Sequence, residues 1–227
     1  MSKAIKDYWN RKIKIWVDTS YNREKKTSGI LNRFFQIVRK SIDERLQAAL
    51  QILEPYIKGE SVLDLGCGNG NLGFALMERG SAQYIGLDIS EVAIEECNRK
   101  AASLGLNDRM TFICSGVLED SSLPEAHITT GLGLLDWLHP HDVERVINRV
   151  KNRRFLFSYS EQDNSFSEII HRFYLVKRLQ WMNRGVYAYH FKRQLIEDIL
   201  KKNSIKNVTF VKNKGMRFGV IFHNLDV

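Results

Sequence analysis

The stretch SVLDLGCGNGNLGFAL, residues 61–76, places Gly66, Gly68, Gly70 and Gly73 directly behind an apolar run. Glycine costs backbone entropy and contributes no side chain to a core, so a cluster of this kind marks backbone that must turn tightly or be approached closely. Val62–Leu65 enters as a buried strand and Asn71–Leu76 leaves as a helix. A glycine-rich strand-to-helix turn exposes bare N–H groups at a helix N-terminus, where a ligand can lie against the backbone.

The rest of the chain alternates around this turn. AQYIGLDI, MTFICSG, HITTGLGLL and RRFLFSYS read as further strands, and NLGFALMERG, SEVAIEECNRKAASLGL and HPHDVERVINRV as the helices between them, with Ser90 capping the second. FKRQLIEDILKKN reads as one more helix, and NVTFVKN and RFGVIFHN as two closing strands. Such alternation implies right-handed crossovers and a parallel sheet covered on both faces. Ahead of it, Ile30, Leu31, Phe34, Phe35, Val38, Ile42, Leu46, Ala49, Leu50 and Leu53 recur at helical spacing, which predicts one or two amphipathic helices ending near Pro55. In an open parallel sheet ligands bind beyond the carboxyl ends of the strands, which points to a cofactor site at residues 64–72.

The spacing discriminates between cofactors. A dinucleotide fingerprint reads G-x-G-x-x-G, whereas this turn reads Gly66-Cys67-Gly68-Asn69-Gly70, and an acidic residue, Asp88, ends the second strand. The pair of motifs, Val62–Gly70 and Ile85–Ser90, closely resembles the class I S-adenosylmethionine-dependent methyltransferases, clearly over residues 61 to about 160 and in pattern over 191–225. The resemblance implies an α/β fold: a Rossmann-like, seven-stranded, mostly parallel sheet with helices on both faces, an N-terminal helical segment and a helical insertion after strand five. It divides the chain into an N-terminal helical lid, 1–58, and a methyltransferase domain, 59–227, with an acceptor-lid insertion at 162–190. It implies S-adenosyl-L-methionine as cofactor and S-adenosyl-L-homocysteine as product. Asp64 is then expected near the methionine end, Gly66, Cys67, Gly68 and Gly70 along the cofactor, Asp88 at the ribose and Ile89 on the adenine. Gly116, Val117, Gly131 and Leu132 complete that expected set. This chain has Ser115-Gly116-Val117 where the family often has Gly-Asp after strand three, so the adenine amino contact falls to backbone, Glu119 or Asp120. It also has His127 where an Asp often begins strand four.

Methyl transfer needs a nucleophile held in line with the methyl group and water kept out, and an oxygen nucleophile often needs a base. LLDWLHPHD, 134–142, follows strand four and offers Asp136, His139 and His141, with Trp137 as a pocket wall. His190 follows the insertion and is another candidate base, so the catalytic candidates are His139, His190 and Asp136. Tyr8, Trp9 and Tyr21 are candidates for an aromatic gate, with Trp16 beside them. In the insertion Phe166, Ile169, Ile170, Phe173, Val176, Leu179 and Met182 form an apolar stripe beside Arg172, Lys177, Arg178 and Arg184, which makes Phe173, Arg172 and Arg178 acceptor-binding candidates.

Charge is unevenly spread. The chain carries a net +8, but residues 61–148 hold 5 basic and 13 acidic side chains, net −8, while 1–60 and 149–227 are net +6 and +10. Basic flanks around an acidic core suit a small anionic or lipid-linked acceptor, and the alternative is a set of solvated helix faces. Nucleic acid is not the expected partner, because neither Pro-Pro-Tyr amine-gripping motifs nor a catalytic cysteine pair is present. The expected activity is methylation of a small molecule at oxygen. The alternatives are N-methylation, RNA methylation and a non-catalytic binding protein of the same fold. Six dispersed histidines and no Cys/His cluster predict no metal requirement. Cys67, Cys97 and Cys114 are expected as reduced, buried thiols of a cytoplasmic protein without an export signal or transmembrane span.

Overall fold

Runs such as Val62–Leu65 and Phe155–Tyr159 carry apolar side chains on both faces, which calls for a layer of helix on each side. A computed structural model shows that arrangement. It describes residues 5–13, 30–119, 122–163, 165, 168–169, 172, 186–217 and 219–226, with backbone alone over 30–39. Seven strands, β1 (Ser61–Leu65), β2 (Gln83–Asp88), β3 (Met110–Cys114), β4 (Ile128–Gly131), β5 (Arg154–Ser160), β6 (Thr209–Val211) and β7 (Gly219–His223), form one sheet in the order β3-β2-β1-β4-β5-β7-β6. The first five run parallel, while β7 pairs antiparallel with β5 and β6. The strand order reverses between β1 and β4, which opens a crevice at their carboxyl ends.

The helices are α1 (residues 5–13), α2 (Ile30–Leu53), α3 (Asn71–Glu78), α4 (Glu91–Ser103), α5 (Pro140–Val150) and α6 (Arg193–Lys202). One core joins Ala49, Leu53, Phe74, Met77 and Cys97 of α2, α3 and α4 to Val62, Tyr84 and Phe112 of the sheet. A second core, on the other face, joins Val143, Ile147, Ile196 and Leu200 of α5 and α6 to Leu63, Leu65, Phe157 and Phe222. The period-2 alternation of β1 thus splits Val62 from Leu63 and Leu65. Among the described residues no helix is long and apolar enough to cross a membrane.

Three expectations change in detail. α2 is one helix, and its buried face runs through Ser41, Arg45, Ala48 and Ala49, with Ile42 exposed. The rotation follows from polar anchoring: Ser41 Oγ donates to the Met216 carbonyl at 2.7 Å, and Arg45 reaches into the sheet end. The fourth strand stops at Gly131, after which Leu135–Trp137 turns as a short 3-10 helix. Cys114, expected buried, is exposed because it stands at the carboxyl end of an edge strand, while Cys67 and Cys97 are buried. In the 162–190 segment residues 168, 169 and 172 are helical and 186–190 have no regular structure, while the stripe positions Phe166, Ile170, Phe173, Val176, Leu179 and Met182 lie outside the described residues.

Gly73 illustrates how closely α3 is pressed onto the sheet. A Cβ there would overlap the Tyr84 ring, whose hydroxyl donates to Asp64 Oδ2 at 2.7 Å. Gly73→Ala should therefore destabilise the protein by about 1–3 kcal/mol, as overpacked cores do, although alanine is the better helix former by about 1 kcal/mol. Denaturant unfolding of the variant checks this, and a gain in stability would contradict it.

Candidate functional site

The glycine turn is hung from the end of β2. Gly66 and Cys67 both donate their N–H to the Leu87 carbonyl, at 2.7 and 2.9 Å. Gly68 N–H donates to Asp88 Oδ2 at 2.9 Å, and Asp88 Oδ1 accepts from Ser90 N–H at 2.9 Å. Gly66, Gly68 and Gly70 all have positive φ, at 75°, 53° and 72°. They are not equivalent. A Cβ on Gly66 would press on Leu134 and one on Gly70 on Phe74 and Cys97, whereas one on Gly68 would meet nothing within 4 Å. Gly68 is the place where backbone faces open space, and the Asp88 carboxylate borders it. Burial pushes the Asp88 carboxyl up from its usual range, and the N–H donors of Ser90 and Gly68 hold it back.

The expected cofactor-binding residues fall in three places. Gly66, Cys67, Gly68, Gly70, Asp88, Ile89, Gly131 and Leu132 gather at the carboxyl ends of β1, β2 and β4. Gly116 and Val117 follow β3, where Glu119 Oε2 accepts the Gly116 N–H at 3.0 Å. Asp64 sits within the sheet, 3% exposed, and accepts from the Tyr84 hydroxyl and from Thr130 Oγ1 at 2.7 and 2.9 Å. Desolvation lifts its pKa to about 6 against those two hydrogen bonds. Its carboxylate therefore ties β1 to β2 and β4 under the turn.

Helix α1 lies over this edge. Lys6 pairs with Glu91 at 2.6 Å and Ser90 Oγ donates to Asn10 Oδ1 at 2.8 Å, which fixes α1 to the β2 exit. Tyr8 and Trp9 meet Trp137 with ring centroids 5.8 and 4.8 Å apart, which fixes it to the β4 exit. Val186 and Ala188 join the same cluster. The structure thus brings Tyr8, Trp9 and Trp137 together, while Tyr21, Phe173 and Arg178 lie outside the described residues.

The three catalytic candidates occupy different environments. His139 is exposed and caps α5, its Nδ1 accepting the His141 N–H at 3.3 Å. Asp136 is fully engaged: it accepts from Ser160 N–H at 2.5 Å, Ser160 Oγ at 2.9 Å and Arg45 Nη1 at 3.3 Å. His190 is half-buried beside Asp136, Glu168, Arg172 and Arg45, and desolvation lowers its pKa despite the two carboxylates. Residues missed by sequence reasoning are Asn10, Arg45, Ser158, Ser160 and Glu168. Arg45 had a readable signal, a charge four residues ahead of Ala49 on the buried face of an amphipathic helix. The others have no periodic or motif signature.

Residues 57–126 match a family model described as a methyltransferase domain. An uncharacterized protein of Haemophilus influenzae is 31% identical over 104 residues, 42% of this chain and 41% of its own length. The ribosomal protein L11 methyltransferase of Escherichia coli is 39% identical over 54 residues, 24% of this chain and 18% of its own. The chain therefore spans less than half the length of these curated relatives. Magnesium protoporphyrin IX methyltransferase from Synechocystis, solved with bound SAH, superposes with a TM-score of 0.64 at 20% identity, covering 96% of each chain. Geranyl diphosphate methyltransferase in complex with SAM gives 0.58 at 14% identity, over 79% of this chain and 83% of that one. At these identities the two structures fix the fold.

Asp64 carries a stability signature. Its folded pKa of about 6 lies above its ordinary value of 3.8, so the folded protein holds an extra proton between about pH 4 and 6, and stability falls as pH rises through that window. The full effect is about 3 kcal/mol. Asp64→Asn should remove this slope, and chemical denaturation from pH 4 to 7 on both proteins measures it. An unchanged slope would show that Asp64 ionises at its ordinary pKa.

Proposed function

We propose that this chain is a class I S-adenosylmethionine-dependent methyltransferase that binds S-adenosylmethionine across the glycine turn and methylates an oxygen of a small molecule. The observation that carries the proposal is the open backbone at Gly68 beside the Asp88 carboxylate, roofed by α1. A Cβ-free cradle next to a carboxylate at a sheet's switch point fits a ribose and its neighbouring chain. When bound, S-adenosylmethionine would supply a methyl group on a sulfonium, a carbon that an acceptor oxygen could take while the C–S electron pair stays with sulfur.

The chain's own residues supply position, dryness and a base. Gly66–Gly70 and Asp88 hold the cofactor, with Ile89, Gly116 and Val117 at its adenine end and Gly131 and Leu132 along the β4 exit. Tyr8, Trp9 and Trp137 cover the edge and keep water from it. His190, whose depressed pKa keeps it neutral at pH 7, takes the proton of the attacking hydroxyl. Asp136 fixes the wall of the site through Arg45 and Ser160, and His139 belongs to the helix cap. Residues 1–58 serve as a lid and 162–190 as the acceptor cover of the domain 59–227. The basic flanks favour an acceptor with an acidic group. The magnesium protoporphyrin and geranyl diphosphate enzymes, whose names give small-molecule substrates, support this class over RNA.

Labelled cofactor incubated with separate small-molecule, RNA and protein fractions of cells should label the small-molecule fraction, as an alkali-stable ether or an ester. Label confined to RNA or protein would contradict the reading. Asp88→Ala should weaken S-adenosylhomocysteine binding by about 1–3 kcal/mol, the cost of a hydrogen bond to a charged group. Calorimetry showing parental affinity would move the site elsewhere.

A further inference from the structure

Two carboxylates lie around His190, and they are treated oppositely by the fold. Asp136 accepts three hydrogen bonds, from Ser160 N–H, Ser160 Oγ and Arg45. Glu168 is wholly buried, and among the described residues neither of its oxygens accepts a hydrogen bond. Among the described residues its charged neighbour in the salt-bridge range is Arg172, with Nε at 3.6 Å from Oε1, beyond hydrogen-bond reach. A carboxylate taken from water without donors is costly, and a ligand that donates to it is one way such a group is satisfied.

The surroundings identify the missing donor. His190 is within electrostatic reach of Asp136, Glu168, Arg172 and Arg45 together, and Asp136 and Arg45 stand at the sheet edge. That edge is fixed in place: Tyr189 N–H donates to the Asp136 carbonyl at 2.7 Å and Phe191 N–H to the Ser160 carbonyl at 2.9 Å. Arg45 balances Asp136 and Arg172 balances Glu168, and a neutral His190 adds no charge. An ammonium would leave an unbalanced positive charge in this buried cluster, whereas a hydroxyl would not. The hydroxyl that is methylated gives its one proton to His190, so the donor to Glu168 is a different group.

We infer that Glu168 binds a second, uncharged hydroxyl of the acceptor, close to the one that is methylated, which makes the substrate a polyhydroxylated small molecule. This rests on the proposed methyl transfer. Glu168 selects and orients the acceptor, and it leaves the cofactor untouched.

The test compares the wild type with Glu168→Gln and Glu168→Leu in the full chain. Three quantities are read: the melting temperature without ligand, the affinity for S-adenosylhomocysteine, and methyl transfer to the small-molecule fraction, then to the acceptor purified from it. Glu168→Leu should melt higher by at least about 3 °C, since it removes a buried carboxylate that has no hydrogen-bond donor. S-adenosylhomocysteine affinity should stay within about twofold in both variants, and the acceptor KM should rise at least about tenfold in Glu168→Leu with kcat little changed, a loss of uniform binding. The rise should be smaller in Glu168→Gln, which keeps a carbonyl acceptor. A lower melting temperature for both variants would assign Glu168 to the fold and overturn the inference, as would an unchanged KM or an acceptor with a single hydroxyl. Failure of the wild type to bind S-adenosylhomocysteine or to label any small molecule would instead defeat the proposed function. In that event the melting temperature still decides whether Glu168 is held for a ligand.

Discussion

The paired hydrogen bonds from Gly66 and Cys67 to the Leu87 carbonyl are the constraint on which the site depends. They fasten the first turn to the end of the neighbouring strand, and so fix where the backbone of Gly68 passes Asp88. The remaining glycines serve that placement. Gly70 lets α3 begin in the left-handed region against Phe74 and Cys97, and Gly73 lets the helix lie on Tyr84. Asp64 closes the arrangement from below by joining Tyr84 of β2 to Thr130 of β4. A single turn thereby sets the spacing of three strands and leaves one face of its own backbone bare.

A second polar centre is built around Arg45 at the carboxyl ends of β4 and β5. Its guanidinium reaches Asp136, Ser158 and Ser160, while Ser158 Oγ also accepts the Gly133 N–H at 2.8 Å. One residue of α2 thus organises the loops leaving β4 and β5. Gly219 of β7 accommodates it, because a Cβ there would crowd Arg45 Nε at 2.8 Å. The buried ion pair is balanced and hydrogen-bonded, the condition under which such pairs persist in a core. Glu168 is paired with Arg172 but accepts no hydrogen bond among the described residues, and that contrast with Asp136 underlies the inferred acceptor contact.

Much of this was legible in the sequence. The strand–helix alternation and the glycine turn with Asp88 carry local signatures, because the periodicity of two, the helical stripe and the φ > 0 requirement are written in adjacent residues. The Ser90 cap was readable for the same reason. What was not legible depends on distant packing. Nothing near Asp136 in sequence says that Arg45 and Ser160 consume it, and nothing near Ile42 says that Ser41 and Arg45 turn α2 so that Ile42 faces outward. The pairing of Tyr8 and Trp9 with Trp137 joins residues more than a hundred positions apart. Glu168 sits among apolar stripe residues with no motif, and only its burial reveals it.

The central claim is that the bare backbone at Gly68 is the floor of the cofactor site. Amide chemical shifts of the labelled protein during a titration with S-adenosylhomocysteine test it most directly. The account predicts large, saturable shifts at Gly68, Asn69 and Gly70 and at Ile89 beside Asp88, together with shifts in α1 at Trp9 and Asn10. Shifts absent from the turn, or confined to residues away from the carboxyl ends of β1, β2 and β4, would contradict it.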